Sequence, residues 1–261
     1  MNSRTMGVDL NGMITVLDSK LVQEQYEPLL EAVRSRLDPK SFTLVHSVYV
    51  YGSVASGRAV AGRSDLDLSL VLRDPPSSVD SSLVEGIRQE IESTHPIVTK
   101  VDFDVGVLCD VLSTENGLAW QYWLKHHCRC IAGRDLAGDF PLFRPSRKLA
   151  LAINGDFEKV LQRYQKLLST EQPADFGRFI REASRKLIRS TNVLRSETGI
   201  NWPETLEEHV TLLLRNYPER GDDMRYFLEQ ALKPDEDPKR FATRLGMFSE
   251  WMADEVRRNS R

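Results

Sequence analysis

The chain has 261 residues, of which 41% are hydrophobic and 28% charged, with a formal net charge of −3. That is enough apolar sequence to bury a core, as one large domain or two small ones. The near-neutral balance argues against a dedicated nucleic-acid binder, which must neutralise many phosphates, and no apolar run is long enough to span a bilayer.

Cys109, Cys128 and Cys130 are too few for a disulfide framework, and the opening MNSRTMGVDLNGM lacks the apolar stretch of a signal peptide. A reducing, cytoplasmic setting is therefore expected. Residues 21–37 read as a helix interrupted or kinked at Pro28. Residues 42–51 (FTLVHSVYVY) read as a strand, and 66–72 (LDLSLVL) as a second. Leu83, Val84, Ile87 and Ile91 fall at helical spacing within 81–93, and Pro96 follows as a stop. Residues 100–108 (KVDFDVGVL) alternate as far as Val107 and give a third strand; 128–132 give a short fourth. Past Phe140-Pro141 the strand signals vanish. Helical periodicity marks 147–168, 175–195, 205–217, 222–232 and 238–258. The separators hold Gly and Pro: Pro173, Gly199 to Pro203, Pro218 to Gly221, and Pro234 to Pro238. The expected fold is α+β: a mixed-sheet domain with flanking helices over residues 1–143, then an all-helical C-terminal bundle over 144–261.

The segment YVYGSVASGRAVAGRSDLDLSLVL, residues 49–72, carries the chemistry. Gly52 permits a sharp turn and close approach of a ligand to the backbone. The Ser53 hydroxyl and neighbouring N–H groups can then hold phosphate oxygens. In a strand, residues i and i+2 share a face, so Asp65 and Asp67 project together, with Cα atoms about 6–7 Å apart. Two hard oxygen ligands so placed suit Mg²⁺, which prefers carboxylates combined with substrate phosphates. The third strand adds Asp102 and Asp104, again sharing one face, and from the residues alone either is fit to complete the site. A pair of ions can clamp both the attacking and the leaving oxygen of an in-line displacement. An isolated Asp-x-Asp pair or Gly-Ser turn usually decorates a surface. The combination with a third aspartate inside a half-buried strand points to a metal site, because buried carboxylates are costly unless paired or metal-bound.

Gly52-Ser53, followed by Asp65-Leu66-Asp67-Leu68, resembles the signature of the DNA polymerase β-like nucleotidyltransferase superfamily. The small size, the run Ser64-Asp65-Leu66-Asp67 and the helical C-terminal half are similar to the aminoglycoside adenylyltransferases and related minimal nucleotidyltransferases. The motif resemblance covers about residues 45–135. It implies Asp65, Asp67 and Asp104 as catalytic metal ligands, with Asp104-Val105-Gly106-Val107-Leu108 matching the third-carboxylate strand better than the register starting at Asp102. It implies Gly52 and Ser53 as triphosphate contacts, two Mg²⁺ ions, and ATP as co-substrate. Many relatives have Arg or Lys three residues after the motif serine, where this chain has Ser56; Arg63, or Arg58, is the expected substitute. The implied reaction is transfer of a nucleoside monophosphate, AMP by default, onto a small hydroxylated acceptor of the aminoglycoside type, with the acceptor between the two domains. Two alternatives are a protein or RNA acceptor, as in toxin–antitoxin nucleotidyltransferases, and a non-catalytic nucleotide-binding module.

Other features read as structural. GRAVAGRS, residues 57–64, is a near miss to the P-loop, but a strand follows where a P-loop needs a helix. KHHCRC, residues 125–130, lacks the second ligand pair of a zinc site. His46 and Cys109 are expected in the core. Arg178, Arg181, Arg185 and Arg189 are expected to form a solvated helix face rather than a cationic wall, and 235–237 a solvated acidic loop. Trp120, Tyr122 and Trp123 are expected to pack between the domains rather than stack on a base.

Overall fold

The computed structural model describes residues 6–17, 22–115, 117–170 and 175–259. The chain divides into two compact units, Thr15–Phe143 and Arg144–Arg261 together with Met1–Ile14. The described residues 6–14 thus group with the helical unit, whereas the sequence reading assigns them to the sheet domain. The reason is a hydrogen-bonded clasp: Met6 N–H donates to the Asn201 side-chain Oδ1 at 2.9 Å and Trp202 N–H donates to the Met6 carbonyl at 2.9 Å.

The sheet unit begins with helix α1 (Glu27–Arg36), strand β1 (Val45–Tyr51), a single turn α2 (Gly52–Ala55) and strand β2 (Leu66–Leu72). Helix α3 (Ser78–Thr94), strand β3 (Val101–Val107), the short helices α4 (Leu108–Leu112) and α5 (Leu118–His127), and strand β4 (Arg129–Gly133) follow. The sheet order is β3-β2-β1-β4. β1 is antiparallel to β2 and β4, whereas β2 and β3 run parallel through the α3 crossover, so the sheet is mixed as expected.

Pro28 does not kink a helix. It occupies the first turn of α1, where a missing N–H costs nothing, and a 3-10 turn at Glu24–Tyr26 precedes it; the predicted start at Leu21 lies outside the described residues. Helix α3 starts a turn earlier than periodicity suggests, because Ser77 and Asp80 form a reciprocal capping box.

The sheet has two unlike faces, and the alternation along its strands decides which residues reach the site. Val48, Val50, Leu66, Leu68, Leu70 and Val101 pack with Leu29, Leu30 and Val33 of α1 and Val84 and Ile91 of α3. Tyr49 and Val71 face the other way, towards Val111 of α4 and Leu124 of α5, with Trp120 and Trp123 beside them. The aromatic residues of α5 therefore pack inside the sheet unit, which corrects the expectation that they lie between domains. A Cβ at Gly106 of β3 would stand 2.6 Å from the Trp120 ring. Gly106→Ala is accordingly expected to cost about 1–3 kcal/mol by overpacking, read as a lower denaturation midpoint; an unchanged midpoint would mean that Trp120 yields freely.

The helical unit comprises α6 (Arg147–Asn154), α7 (Phe157–Thr170), α8 (Phe176–Ser190), α9 (Leu206–Asn216), α10 (Gly221–Leu232) and α11 (Pro238–Arg258). Its core includes Phe157, Leu161, Ile180, Leu187, Phe227, Phe241 and Phe248. The predicted helix 147–168 is in fact two, broken at Gly155, which caps the C-terminus of α6. Pro173, expected as a separator, lies outside the described residues. Arg178, Arg181, Arg185 and Arg189 are all exposed on α8, the solvated face expected. The acidic run is more than a solvated loop: Asp237 caps α11 by accepting from the Lys239 and Arg240 N–H groups, and Asp235 accepts from Gln230 at 2.8 Å. Among the described residues, no helix is long and apolar enough to cross a membrane.

Candidate active site

The site is built at one end of β1, β2 and β3. β1 ends at Tyr51, and the chain turns through Gly52 at φ 71°, in the left-handed region that favours glycine. Gly52 also lies directly against a carboxylate: a Cβ there would stand 2.1 Å from Asp67 Oδ2. The turn continues as α2, which brings the half-buried Ser53 next to that contact. Ser56, at the position where relatives have Arg or Lys, serves the turn itself. Its hydroxyl donates to the Gly52 carbonyl at 2.8 Å and accepts from Arg58 Nε at 3.2 Å. Arg63 is exposed in the following loop, two residues before Asp65, and among the described residues its guanidinium has no hydrogen-bond or ion-pair partner.

The sheet register gathers the acids. Asp67 stands opposite Tyr51 of β1 and beside Asp102 of β3, while Asp104 stands beside Ser69, two residues further along β2. Laterally paired residues point to the same face, so Tyr51, Asp67, Asp102 and Asp104 share the face carrying α5. Asp65 precedes β2 and is exposed. Burial, together with the charges of Asp65, Asp102 and Asp104, pushes the Asp67 carboxyl up to about 6, and Lys100 pulls the other way.

Three supporting residues escape a reading of motifs. Thr99 donates to Asp65 Oδ1 at 2.5 Å. Tyr51 donates to Asp104 Oδ2 at 2.6 Å, and burial with the charge of Asp104 holds the phenol far above its ordinary value. Lys100 pairs with Asp102 at 2.6 Å. The Tyr51 ring meets Trp123 edge-on at 4.9 Å, and Trp123 donates from Nε1 to Ser69 Oγ at 3.1 Å. The side chains of α5 thereby pack against Tyr51 and Ser69 on the same face as the acids. A tyrosine next to a motif glycine was the available signal; Thr99 and Lys100 carried none, since their partners are set by the strand register.

The donor set suits a hard dication. Its oxygens are carboxylates, and the penalty of burial with like-charge repulsion, which together raise Asp67, is what a cation relieves. Among the described residues, no three His, Cys, Asp or Glu side chains converge closely enough to hold a metal unaided.

The decoy segments resolve into local partners. His46 is buried and hydrogen-bonded to Ser47 at 3.0 Å, and burial lowers its pKa. Of KHHCRC, Lys125 donates to the Ala137 carbonyl, His126 bonds the Thr15 carbonyl and the Phe143 N–H, and His127 bonds Tyr122. Cys109 is exposed on α4 rather than in the core; the strand that would have buried it ends at Val107.

Comparison with known proteins bears on this arrangement. The profile of a nucleotidyltransferase domain matches residues 28–188. No curated protein sequence gives a match. Among solved structures, the fold is similar to that of a spectinomycin adenyltransferase from Enterococcus faecialis, crystallised with ATP and spectinomycin. The TM-score is 0.54 at 13% identity, covering 88% of this chain and 99% of that one. Identity this low speaks for the fold; what the site acts on has to be argued from its residues.

Proposed function

The chain belongs to the nucleotidyltransferase-domain family and is a nucleotidyltransferase, and from that premise we propose that it transfers AMP from ATP to a hydroxyl of a small, aminoglycoside-type acceptor. The observation that carries the chemistry is the strand register that sets Asp67, directly against the Gly52 turn, beside Asp102, with Asp104 two residues further along.

Asp65, Asp67 and Asp104 would hold Mg²⁺, as one or two ions arriving with the triphosphate. Bound there, the metal supplies positive charge against the phosphate oxygens. Gly52 lets the triphosphate approach the backbone, Ser53 donates its hydroxyl, and Arg63 adds a cation that no other side chain engages. The acceptor oxygen bonds to the α-phosphorus, the bond from that phosphorus to the bridging oxygen breaks, and pyrophosphate leaves. The proton of the acceptor hydroxyl passes to the Asp104 carboxylate, which Tyr51 holds in place. Asp102 is the weaker candidate for that role because Lys100 already neutralises it. The acceptor assignment draws on the ATP and spectinomycin bound by the structural neighbour.

The test is transfer of label from α-labelled ATP to a panel of aminoglycosides in the presence of Mg²⁺. Label is expected to move with wild type and with Asp102→Asn, and to fall at least ~10²-fold with Asp104→Asn, in the range of lost general-base catalysis. Loss in Asp102→Asn alone would transfer the role to Asp102. Absence of transfer to every aminoglycoside, with ATP bound, would remove the acceptor class.

A further inference from the structure

Buried polar atoms nearly always have hydrogen-bond partners. The helical unit contains a cavity of about 190 Å³ that breaks this rule. It lies among the 3-10 turn Thr191–Leu194, the loop 195–203 and α9, with Arg195, Asn201, His209, Arg215 and Tyr217 in its walls. Among the described residues, no aspartate or glutamate lines it.

Arg195 is anchored through Nη2, which donates to the Gly199 carbonyl at 2.5 Å and the Asn201 carbonyl at 3.1 Å, with the guanidinium 5.1 Å from the centre of the Trp202 ring. Its Nε and Nη1 are buried without a partner. His209 is 8% exposed, and its Nδ1 is also buried without a partner. Burial, with the charge of Arg189, lowers its pKa to about 3, so the imidazole is neutral. Three orphaned polar atoms therefore belong to residues lining one cavity, and the charged side chains of the lining are both arginines. Arg195 is half-buried and feels the charge of Glu197, which is not in the lining, yet its Nε and Nη1 still lack hydrogen-bond partners that an oxoanion would supply. The volume is well below the roughly 300 Å³ at which drug-sized sites begin, which restricts the occupant to a small molecule.

We propose that this cavity is a binding site for a small oxoanion, a phosphate or carboxylate group, with Arg195 as charge partner, Arg215 on the exposed rim and His209 donating through Nδ1. Charge-assisted hydrogen bonds from a guanidinium are among the stronger contacts available to such a ligand. The site is separate from the acidic face of the sheet unit in residues and in sign.

Imidazole NMR tests it, since the chain has five histidines and His209→Gln identifies the relevant signals. Inorganic phosphate and acetate are titrated separately at constant ionic strength, with chloride as the balancing ion. A saturable shift of the His209 signals is expected, with at least tenfold weaker affinity in Arg195→Lys. The arm that saturates identifies the anion as phosphate-like or carboxylate. Arg215→Ala alters an exposed position and is expected to weaken binding as well, which keeps the test open if Arg195→Lys fails to fold. His209 signals unmoved by both anions, or moved equally by chloride, would overturn the proposal.

Discussion

Asp67→Asn is expected to reduce nucleotidyl transfer by roughly 10²–10³-fold, the scale of losing one preorganised electrostatic group, while making the fold more stable at neutral pH. The second half follows from the raised carboxyl. In the unfolded chain an aspartate ionises near its ordinary value, whereas in the fold Asp67 ionises near pH 6 because burial and three neighbouring carboxylates oppose its charge. Below the unfolded value both states are protonated and the group contributes nothing. As pH rises towards 6 the unfolded state loses its proton first, so stability falls, and above 6 the penalty is complete. Allowing for solvent screening, it is on the order of 2 kcal/mol. Chemical denaturation of wild type and variant at pH 4 and pH 7 checks this: the variant should gain at pH 7 and be unchanged at pH 4. A variant equally destabilised at both would show that Asp67 holds the fold together.

Gly52→Ala has the opposite character, losing both activity and stability. A side chain at φ 71° is strained, and its Cβ would overlap Asp67 Oδ2 at 2.1 Å. Either the turn or the carboxylate must move. A shift of about 1 Å in a reacting group can cost ~10²-fold in rate, so that loss is expected, with at least about 1 kcal/mol of stability. Turnover and thermal melting measured together decide the matter. An active Gly52→Ala would mean that the turn does not position Asp67.

The strands could be read directly because their periodicity is set by burial. LDLSLVL of β2 is buried along almost its whole length, and that is why it reads as a near-continuous apolar run interrupted by Asp67 and Ser69. The long helices α9, α10 and α11 carry apolar stripes, and α9 and α11 also carry N-caps, within a few residues of where they occur. The short helices did not show. The single turn α2 has too few residues for any period, and α5 mixes Trp, Tyr and His on a helix that packs on the sheet. Pro28 read as a kink because nothing in the pattern fixes the first turn of α1. At the site, Asp-x-Asp and Gly-Ser are local signals, so Gly52, Ser53, Asp65 and Asp67 could be named from spacing. Thr99 and Tyr51 lie 34 and 53 residues from the aspartates they hold. Such pairings exist only once β3 has been placed beside β2 in parallel register.

The central claim is that the acidic face and the Gly52 turn form a triphosphate site that depends on a divalent cation. Calorimetric titration of ATP and of a non-hydrolysable analogue, with and without Mg²⁺, measures this on wild type and on Asp65→Asn/Asp67→Asn. Saturable binding that requires Mg²⁺ in wild type and disappears in the double variant is the predicted result. Failure of ATP, GTP, CTP and UTP to bind wild type under any condition would contradict it.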